Sequence, residues 1–456
     1  MPSQRSLAVF VALSSIVAAA GCAGPTTDVP SDRVAVSASP STAKTGDLIY
    51  VRNMQQGAIV AIDGDTGAEV ARYLSGALTP DGALVYGTTF DRGDAVVRVT
   101  DIARNITANE RRIEGSGLAY ELPALSFTGE VGGFSPNARW LVLTTPRSHL
   151  SSSATTGQSA FVVLDAKLQQ PAKFVELPGG YSFDAISDSG QFLYLEEQVV
   201  QNADGGYRVR VYDLNARQLL PGIVVDKTVA GAAMTGTRAG SIASPDGQWQ
   251  FTLYWRQGGN PFIHAIKLEE RWSLCLFLPV QTSGEEDFAW SFVASPYGGT
   301  AYAINSLKGY VASIDLATAT VLRTATFNAR AAEQPNVLEQ IARFFVPVAE
   351  AKSEMFSTGV VSPDGTTLYA TADYGRKLLA IDAATLAVKA RFAMDAPDAG
   401  PIQLTALGVS PDGARLYALD AAGRSLVRID AASGRITQLV AVGGPIGGRI
   451  LRVLTR

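Results

Sequence analysis

Reactive side chains are scarce in this chain. Its 456 residues include two histidines, His149 and His264, and two cysteines, Cys22 and Cys275. Histidine-rich metal clusters, thiol–imidazole pairs and disulfide frameworks therefore have little raw material. His149 lies in the polar stretch Arg147-Ser-His-Leu-Ser-Ser-Ser153 and reads as a solvated loop residue. His264 lies in Pro261-Phe-Ile-His-Ala-Ile266, a strand-like run in which a hydrogen-bonded structural histidine is the plain reading. Cys275, inside Trp272-Ser-Leu-Cys-Leu-Phe-Leu278, reads as a buried, inert thiol. There is no Gly-x-Ser-x-Gly elbow, His-Glu-x-x-His helix or phosphate-binding glycine loop. No catalytic residue, metal site or cofactor is expected.

The other cysteine has a different setting. Arg5 precedes an apolar stretch from Leu7 to Ala20, followed by Gly21 and Cys22. That run is too short to span about 30 Å of hydrocarbon but suits a cleavable export signal. Ala19-Ala-Gly-Cys22 resembles the bacterial lipobox, with Ala19 where that pattern prefers Leu. The resemblance implies that the Cys22 thiol receives a diacylglycerol and becomes the mature N-terminus. Ordinary secretion, with cleavage after Ala18-Ala-Ala20, is the alternative. Residues 1–21 are read as the signal peptide, and residues 22–46 as the acylated cysteine with a Pro/Ser/Thr/Ala tether reaching about 25–30 Å. Residues 47–456 form the head. The expected address is exported and lipid-anchored, to the cell membrane or an outer membrane, with the head outside the cytoplasm. A formal net charge of −4 with no Lys/Arg run gives no footprint for nucleic acid.

The elements that must position any site come from a repeat. A turn signature recurs as Thr79-Pro-Asp-Gly82, Ser135-Pro-Asn-Ala138, Ser187-Asp-Ser-Gly190, Ser244-Pro-Asp-Gly247, Ser295-Pro-Tyr-Gly298, Ser362-Pro-Asp-Gly365 and Ser410-Pro-Asp-Gly413, at spacings of 48 to 67 residues. Pro presets φ, Asp caps the turn, and Gly takes the left-handed conformation that returns the chain to the sheet. An apolar strand ending near Asp forms a second marker, at Asp63, Asp101, Asp165, Asp213, Asp315, Asp382 and Asp430, with Lys267 at the fifth position. Four short strands per period and no helical periodicity predict an all-β fold, a single β-propeller of four-stranded blades. The second marker occurs eight times and the turn seven. The unmatched first copy lacks an innermost strand, while Gly447-Gly-Arg-Ile-Leu-Arg-Val-Leu454 offers a spare one. Eight blades closed by the C-terminal strand is the favoured count, with seven as the alternative.

Ser362-Pro-Asp-Gly-Thr-Thr-Leu-Tyr-Ala-Thr-Ala-Asp373 with Leu379-Ala-Ile-Asp-Ala-Ala-Thr385 resembles the YVTN repeat of lactonase-like and surface-layer propellers. The likeness is strong in the last two repeats and weak between Gly115 and Val280. It implies the fold and a cell-surface setting rather than a chemistry. Ala61-Ile-Asp-Gly-Asp-Thr-Gly67 is similar to the tryptophan-docking repeat of quinoprotein dehydrogenases but lacks its aromatic residue. Ser244-Pro-Asp-Gly-Gln-Trp249 is similar to a sialidase Asp-box but lacks the residue between Asp and Gly. Both read as generic blade turns, and Arg92-Gly-Asp94 as a chance tripeptide.

Loop length is asymmetric. The Pro-Asp-Gly rim is tight, whereas the opposite connections are long, at 117–131, 144–158, 197–206, 281–287 and 328–358. The last contains Pro335-Asn-Val-Leu-Glu-Gln-Ile-Ala-Arg-Phe-Phe345, with apolar residues at helical spacing. Long connections on a rigid scaffold are where binding residues gather. The partner-binding candidates are Leu338, Ile341, Phe344 and Phe345, with Arg147, His149, Glu285, Glu286 and Asp287 as polar candidates on the same face. The functional expectation is an envelope-anchored binding or scaffolding propeller for a protein or envelope ligand. An envelope enzyme (lactonase-like hydrolase or oxidoreductase) and a structural surface-layer component are the alternatives.

Overall fold

Short strands that alternate side chains between two faces, separated by glycine-closed turns, can bury both faces only by stacking sheet on sheet. The computed structural model describes residues 45–455 except 54–56, 75, 115–117, 127–129, 147–156, 199–205, 225–233, 258, 328–357, 397–399 and 445. These residues form eight antiparallel blades around a central axis. In order from the innermost strand, blade 2 is Gly76–Leu78, Leu84–Asp91, Asp94–Asp101 and Ile106–Ile113. Blade 4 is Tyr181–Ile186, Phe192–Gln198, Tyr207–Asp213 and Gln218–Leu219. Blade 5 is Thr237–Ala243, Trp249–Trp255, Phe262–Lys267 and Trp272–Phe277. Blade 6 runs from Trp290–Ala294 to Thr320–Thr326, blade 7 from Gly359–Val361 to Val388–Ala393, and blade 8 from Leu404–Val409 to Ile436–Ala441.

Blade 1 closes the ring. Its strands Asp47–Asn53, Ala58–Asp63 and Glu69–Leu74 receive Gly448–Thr455 as innermost strand, in register from Asp47 opposite Thr455 to Asn53 opposite Gly448. The seven-blade alternative is thereby set aside. Buried polar groups lock the closure. The Asp47 carboxylate, wholly buried, accepts hydrogen bonds from Thr455 Oγ1 (2.5 Å) in the closing strand and from Tyr417 OH (2.7 Å) and Arg415 Nε (2.8 Å) of blade 8.

The repeat signatures have structural roles. In the turn of blade 8 the Ser410 hydroxyl donates to Asp412 Oδ1 (2.6 Å) and accepts from Arg415 N–H (3.0 Å). Gly298, at φ 75°, lies against the preceding turn, where a Cβ would stand 2.5 Å from Pro245 Cγ. The turns thus pack blade to blade as well as closing hairpins. The second-marker aspartates cap the turn between the third and fourth strands. Asp382 accepts from Thr385 N–H and Thr385 Oγ1, both at 2.9 Å. These bonds, with that from Lys389, hold its carboxyl down at about 2. At the fifth position Lys267 instead sits 3.0 Å from Glu270 and 5.4 Å from the centre of the Trp249 ring.

Tyrosines of the second strands cross the seams. Their hydroxyls donate to the backbone carbonyl just after the next blade's marker residue: Tyr86 to Ala166 (2.6 Å), Tyr194 to Leu268 (2.5 Å), Tyr302 to Ala383 (3.1 Å) and Tyr369 to Ala431 (3.2 Å). Apolar clusters fill the same seams, such as Phe251, Leu253 and Ile263 of blade 5 against Trp290, Phe292 and Ala303 of blade 6. Each fully buried side chain of this size contributes about 1.5–3 kcal/mol.

Blade 3 departs from the four-strand expectation. It has three regular strands, Trp140–Thr144, Gln158–Asp165 and Lys173–Pro178. In place of an inner strand there are isolated bridges, Glu121 to Thr144 and Phe134 to Leu141.

Candidate functional site

Where the inner strands converge they wall a cavity of about 570 Å³. The inner strands of blades 5, 6, 7, 8 and 1 line it with Ile242, Phe292, Val360, Leu407 and Ile450 among others, and with the polar side chains of Ser241, Ser291 and Thr405. Two arginines of the closing strand, Arg449 and Arg452, line it as well. The Arg452 guanidinium donates to the Asp81 carbonyl at the turn rim.

Among the described residues a single carboxylate lines the cavity, Glu130, and the broken inner strand of blade 3 delivers it. Glu121 and Thr144 exchange backbone hydrogen bonds at 2.8 and 2.9 Å, and the chain then leaves the ladder at Pro123, which has no N–H to give. A small hairpin follows, held by Gly132 N–H to Pro123 O (3.0 Å) and Leu125 N–H to Glu130 O (2.6 Å). The chain rejoins the ladder through Gly133, at φ 114°, where a Cβ would lie 2.4 Å from the Val142 carbonyl oxygen. The detour places Glu130 in the cavity wall, its Oε2 3.3 Å from Arg449 Nη1.

Directly opposite Arg449 in the blade 1 ladder stands Arg52. Arg52 is buried, and its guanidinium donates to the Gly76 carbonyl of blade 2. Burial lowers its pKa to about 10, with Glu130 opposing the shift and Arg449 adding to it. It stays cationic at neutral pH. Arg449 thus pairs directly with the Glu130 carboxylate, whose charge Arg52 feels at longer range. Elsewhere in the cavity lining, Ser291 Oγ and Trp290 Nε1 are buried, with no hydrogen-bond partner among the described residues.

A second charged cluster occupies the seam between blades 4 and 5. Arg238 Nη2 lies 2.8 Å from both Asp184 Oδ1 and Glu196 Oε1, and Tyr254 OH donates to Glu196 Oε1 at 2.7 Å. Asp184 Oδ2 has no partner among the described residues. Asp184 is wholly enclosed, and this burial raises its pKa to about 6. The attraction of Arg238 offsets part of the rise and Glu196 adds to it. An ion pair at 2.8 Å ordinarily depresses a carboxylate. Here one guanidinium is divided between two acids, and desolvation outweighs it.

Of the residues singled out from sequence, Cys22, Arg147, His149, Leu338, Ile341, Phe344 and Phe345 lie outside the described residues. Glu285, Glu286 and Asp287 form a 3₁₀ turn, Gly284–Phe288, between blades 5 and 6. Glu285 accepts from Tyr374 OH (2.8 Å) in blade 7, and Glu286 pairs with Lys308 (3.3 Å) in blade 6. Asp287 is buried. Glu285 and Glu286 thus diverge into separate contacts, with blade 7 and blade 6 respectively. His264 is buried inside the blade 5 sheet with Thr252 and Cys275 opposite it in register, and none of the three lines the cavity. Among the described residues, no group of three or more His, Cys, Asp or Glu is placed to hold a metal ion. Arg92-Gly93-Asp94 forms a tight hairpin tip, with Arg92 and Gly93 at φ 51° and 90°.

Fold and site together define an eight-bladed β-propeller with a walled central cavity. No family model and no curated protein matches the chain. Solved structures resemble it at low identity. The dihydro-heme d1 dehydrogenase NirN, solved in complex with DHE, is 15% identical at a TM-score of 0.49, over 91% of this chain and 75% of that one. Apo AztD from Citrobacter koseri is 14% identical at 0.48, over 90% and 96%. The periplasmic gluconolactonase PpgL of Pseudomonas aeruginosa is 18% identical at 0.39, over 80% and 97%. A lactonase thus stands among the structural neighbours, beside proteins of other roles. Likeness at this level concerns the fold and passes on no activity.

Proposed function

We propose that the chain is an envelope-tethered binding propeller whose ligand occupies the central cavity. The observation that carries this reading is the cavity itself. Its volume of about 570 Å³ falls in the usual range for small-molecule sites, and apolar walls with a few convergent polar groups are the usual composition of such sites. The export signal and Ala19-Ala-Gly-Cys22 supply the tether in this reading. Binding is favoured over catalysis because the described residues of the cavity wall offer arginines, hydroxyls and one acid paired to arginine, with no nucleophile–base pair among them.

Native mass spectrometry of the full chain isolated from bacterial envelopes tests this. A discrete small-molecule adduct is expected on the unaltered protein and is expected to be lost in Val360→Trp, which fills the cavity. An adduct that persists in folded Val360→Trp, or no adduct on either protein, contradicts the reading. For the anchor, the unaltered chain is expected to partition with membranes and Cys22→Ser to lose that partition. Equal membrane partition of both forms contradicts it.

A further inference from the structure

We infer that the cavity takes a small amphipathic monoanion, a carboxylate head seated on Arg449 beside Arg52 with an aliphatic body along the inner strands. This inference rests on the cavity being the ligand site and adds the class of ligand.

Charge count argues for one negative charge. Arg449 and Arg52 stand opposite each other in the ladder, Glu130 is the single acid of the cavity wall among the described residues, and the other guanidinium of the wall, Arg452, is engaged by the Asp81 carbonyl at the turn rim. The buried Arg52 guanidinium has no acid within ion-pair distance among the described residues, and Arg449, about two-fifths exposed, has Glu130 alone, which leaves one positive charge uncompensated for a monoanion to neutralise. Donor count argues for an oxyanion. A guanidinium has five N–H donors in a fork that matches a carboxylate. Among the described residues, these two forks donate to the Gly76 carbonyl, from Arg52, and to Glu130 Oε2, from Arg449. The Ser291 hydroxyl, buried in the same wall without a partner among the described residues, is a further donor awaiting an acceptor. The rest of the wall argues for the body. Ile242, Phe292, Val360, Leu407 and Ile450 offer apolar surface that a hydrophilic acid would leave unused.

Glu130 sets the selectivity. Held on the blade 3 hairpin, it occupies part of the Arg449 fork when no ligand is present and competes with an incoming anion. Its removal therefore strengthens anion binding, whereas a residue of purely structural importance would weaken it or do nothing.

The experiment is calorimetric titration of the full chain with decanoate and with decanamide, its neutral counterpart. Decanoate is expected to bind at least tenfold more tightly than decanamide. Arg449→Gln is expected to remove that preference while decanamide binding is retained, and Glu130→Gln to tighten decanoate three- to tenfold without altering decanamide. Since Arg449 belongs to the closing strand, thermal melts accompany each variant, and Glu130→Gln keeps the test open if Arg449→Gln fails to fold. Equal affinity for both probes overturns the anion assignment and leaves a neutral ligand in the cavity. Binding of neither overturns the assignment, and together with an absent native adduct it removes the cavity as the ligand site. Decanoate affinity unchanged or weakened in folded Glu130→Gln also overturns it.

Discussion

At the seam between blades 7 and 8, a tyrosine hydroxyl reaches across to a backbone carbonyl, Tyr369 to Ala431, and apolar side chains do the rest. At the seam between blades 4 and 5 the same rung is present, Tyr194 to Leu268. Two residues further along the strand, however, Glu196 meets Arg238, which also holds the enclosed Asp184. The neutral rung adds its hydrogen bond without placing a charge out of water. The ionic seam buries three charged groups, which are secure only while all remain paired. Regular seams in this propeller hold the ring. The seam between blades 4 and 5 adds a buried ionic cluster, and the irregular blade 3 reaches into the cavity through Glu130.

The closing strand serves both purposes, and its removal is the severest way to break the comparison. Deleting residues 448–456 uncovers the inner edge of blade 1, separates Asp47 from Thr455 and removes Arg449. The loss is expected to approach the whole of a typical stability of about 5–15 kcal/mol. Denaturant unfolding checks it, and a midpoint close to that of the intact chain would show that the ring closes some other way. Next in size is Arg238→Ala, which strands Asp184 and Glu196 beside each other. It is expected to cost about 3–5 kcal/mol, against about 0.5–1.5 kcal/mol for Tyr369→Phe at the neutral rung. Equal losses at the two sites, measured in the same denaturant series, would erase the distinction between the seams.

The ionic seam also predicts a pH dependence. Burial raises the Asp184 carboxyl from its ordinary 3.8 to about 6, so between these values the folded protein holds a proton that the unfolded chain releases. Stability from this group is fully present below about pH 4 and is lost as pH rises through about 6. The stability of the unaltered chain minus that of Asp184→Asn should therefore fall across that window, by at most about 3 kcal/mol. A difference that is flat from pH 4 to 7, or rises, contradicts the direction. The neutral seams predict no such term for Tyr369→Phe.

The ring was readable from sequence because its markers are local. A Ser-Pro-Asp-Gly turn needs four consecutive residues, and the mismatch between eight strand-end markers, seven of them ending in Asp, and seven turns pointed to the spare strand at residues 448–455. The site was not readable, for the same reason. Glu130 and Arg449 are 319 residues apart and meet only because closing a ring brings inner strands of distant blades face to face. Arg52 and Arg449 become opposite partners through that closure alone. Part of the signal was present: Pro123 and Gly132-Gly133 fall where the third blade needs an unbroken inner strand, and they break it. The acids Glu285 and Glu286 looked like a cluster in sequence, but successive residues of a tight turn point apart, and each found its own blade.

Binding in the central cavity is tested most directly by amide hydrogen exchange of the full chain with and without saturating decanoate. The expected result is slowed exchange in the inner strands Trp290–Ala294, Leu404–Val409 and Gly448–Thr455, with the outer strands Ile106–Ile113 and Val388–Ala393 unchanged. Protection confined to outer strands or to the Pro-Asp-Gly rim, or no protection anywhere, would contradict it.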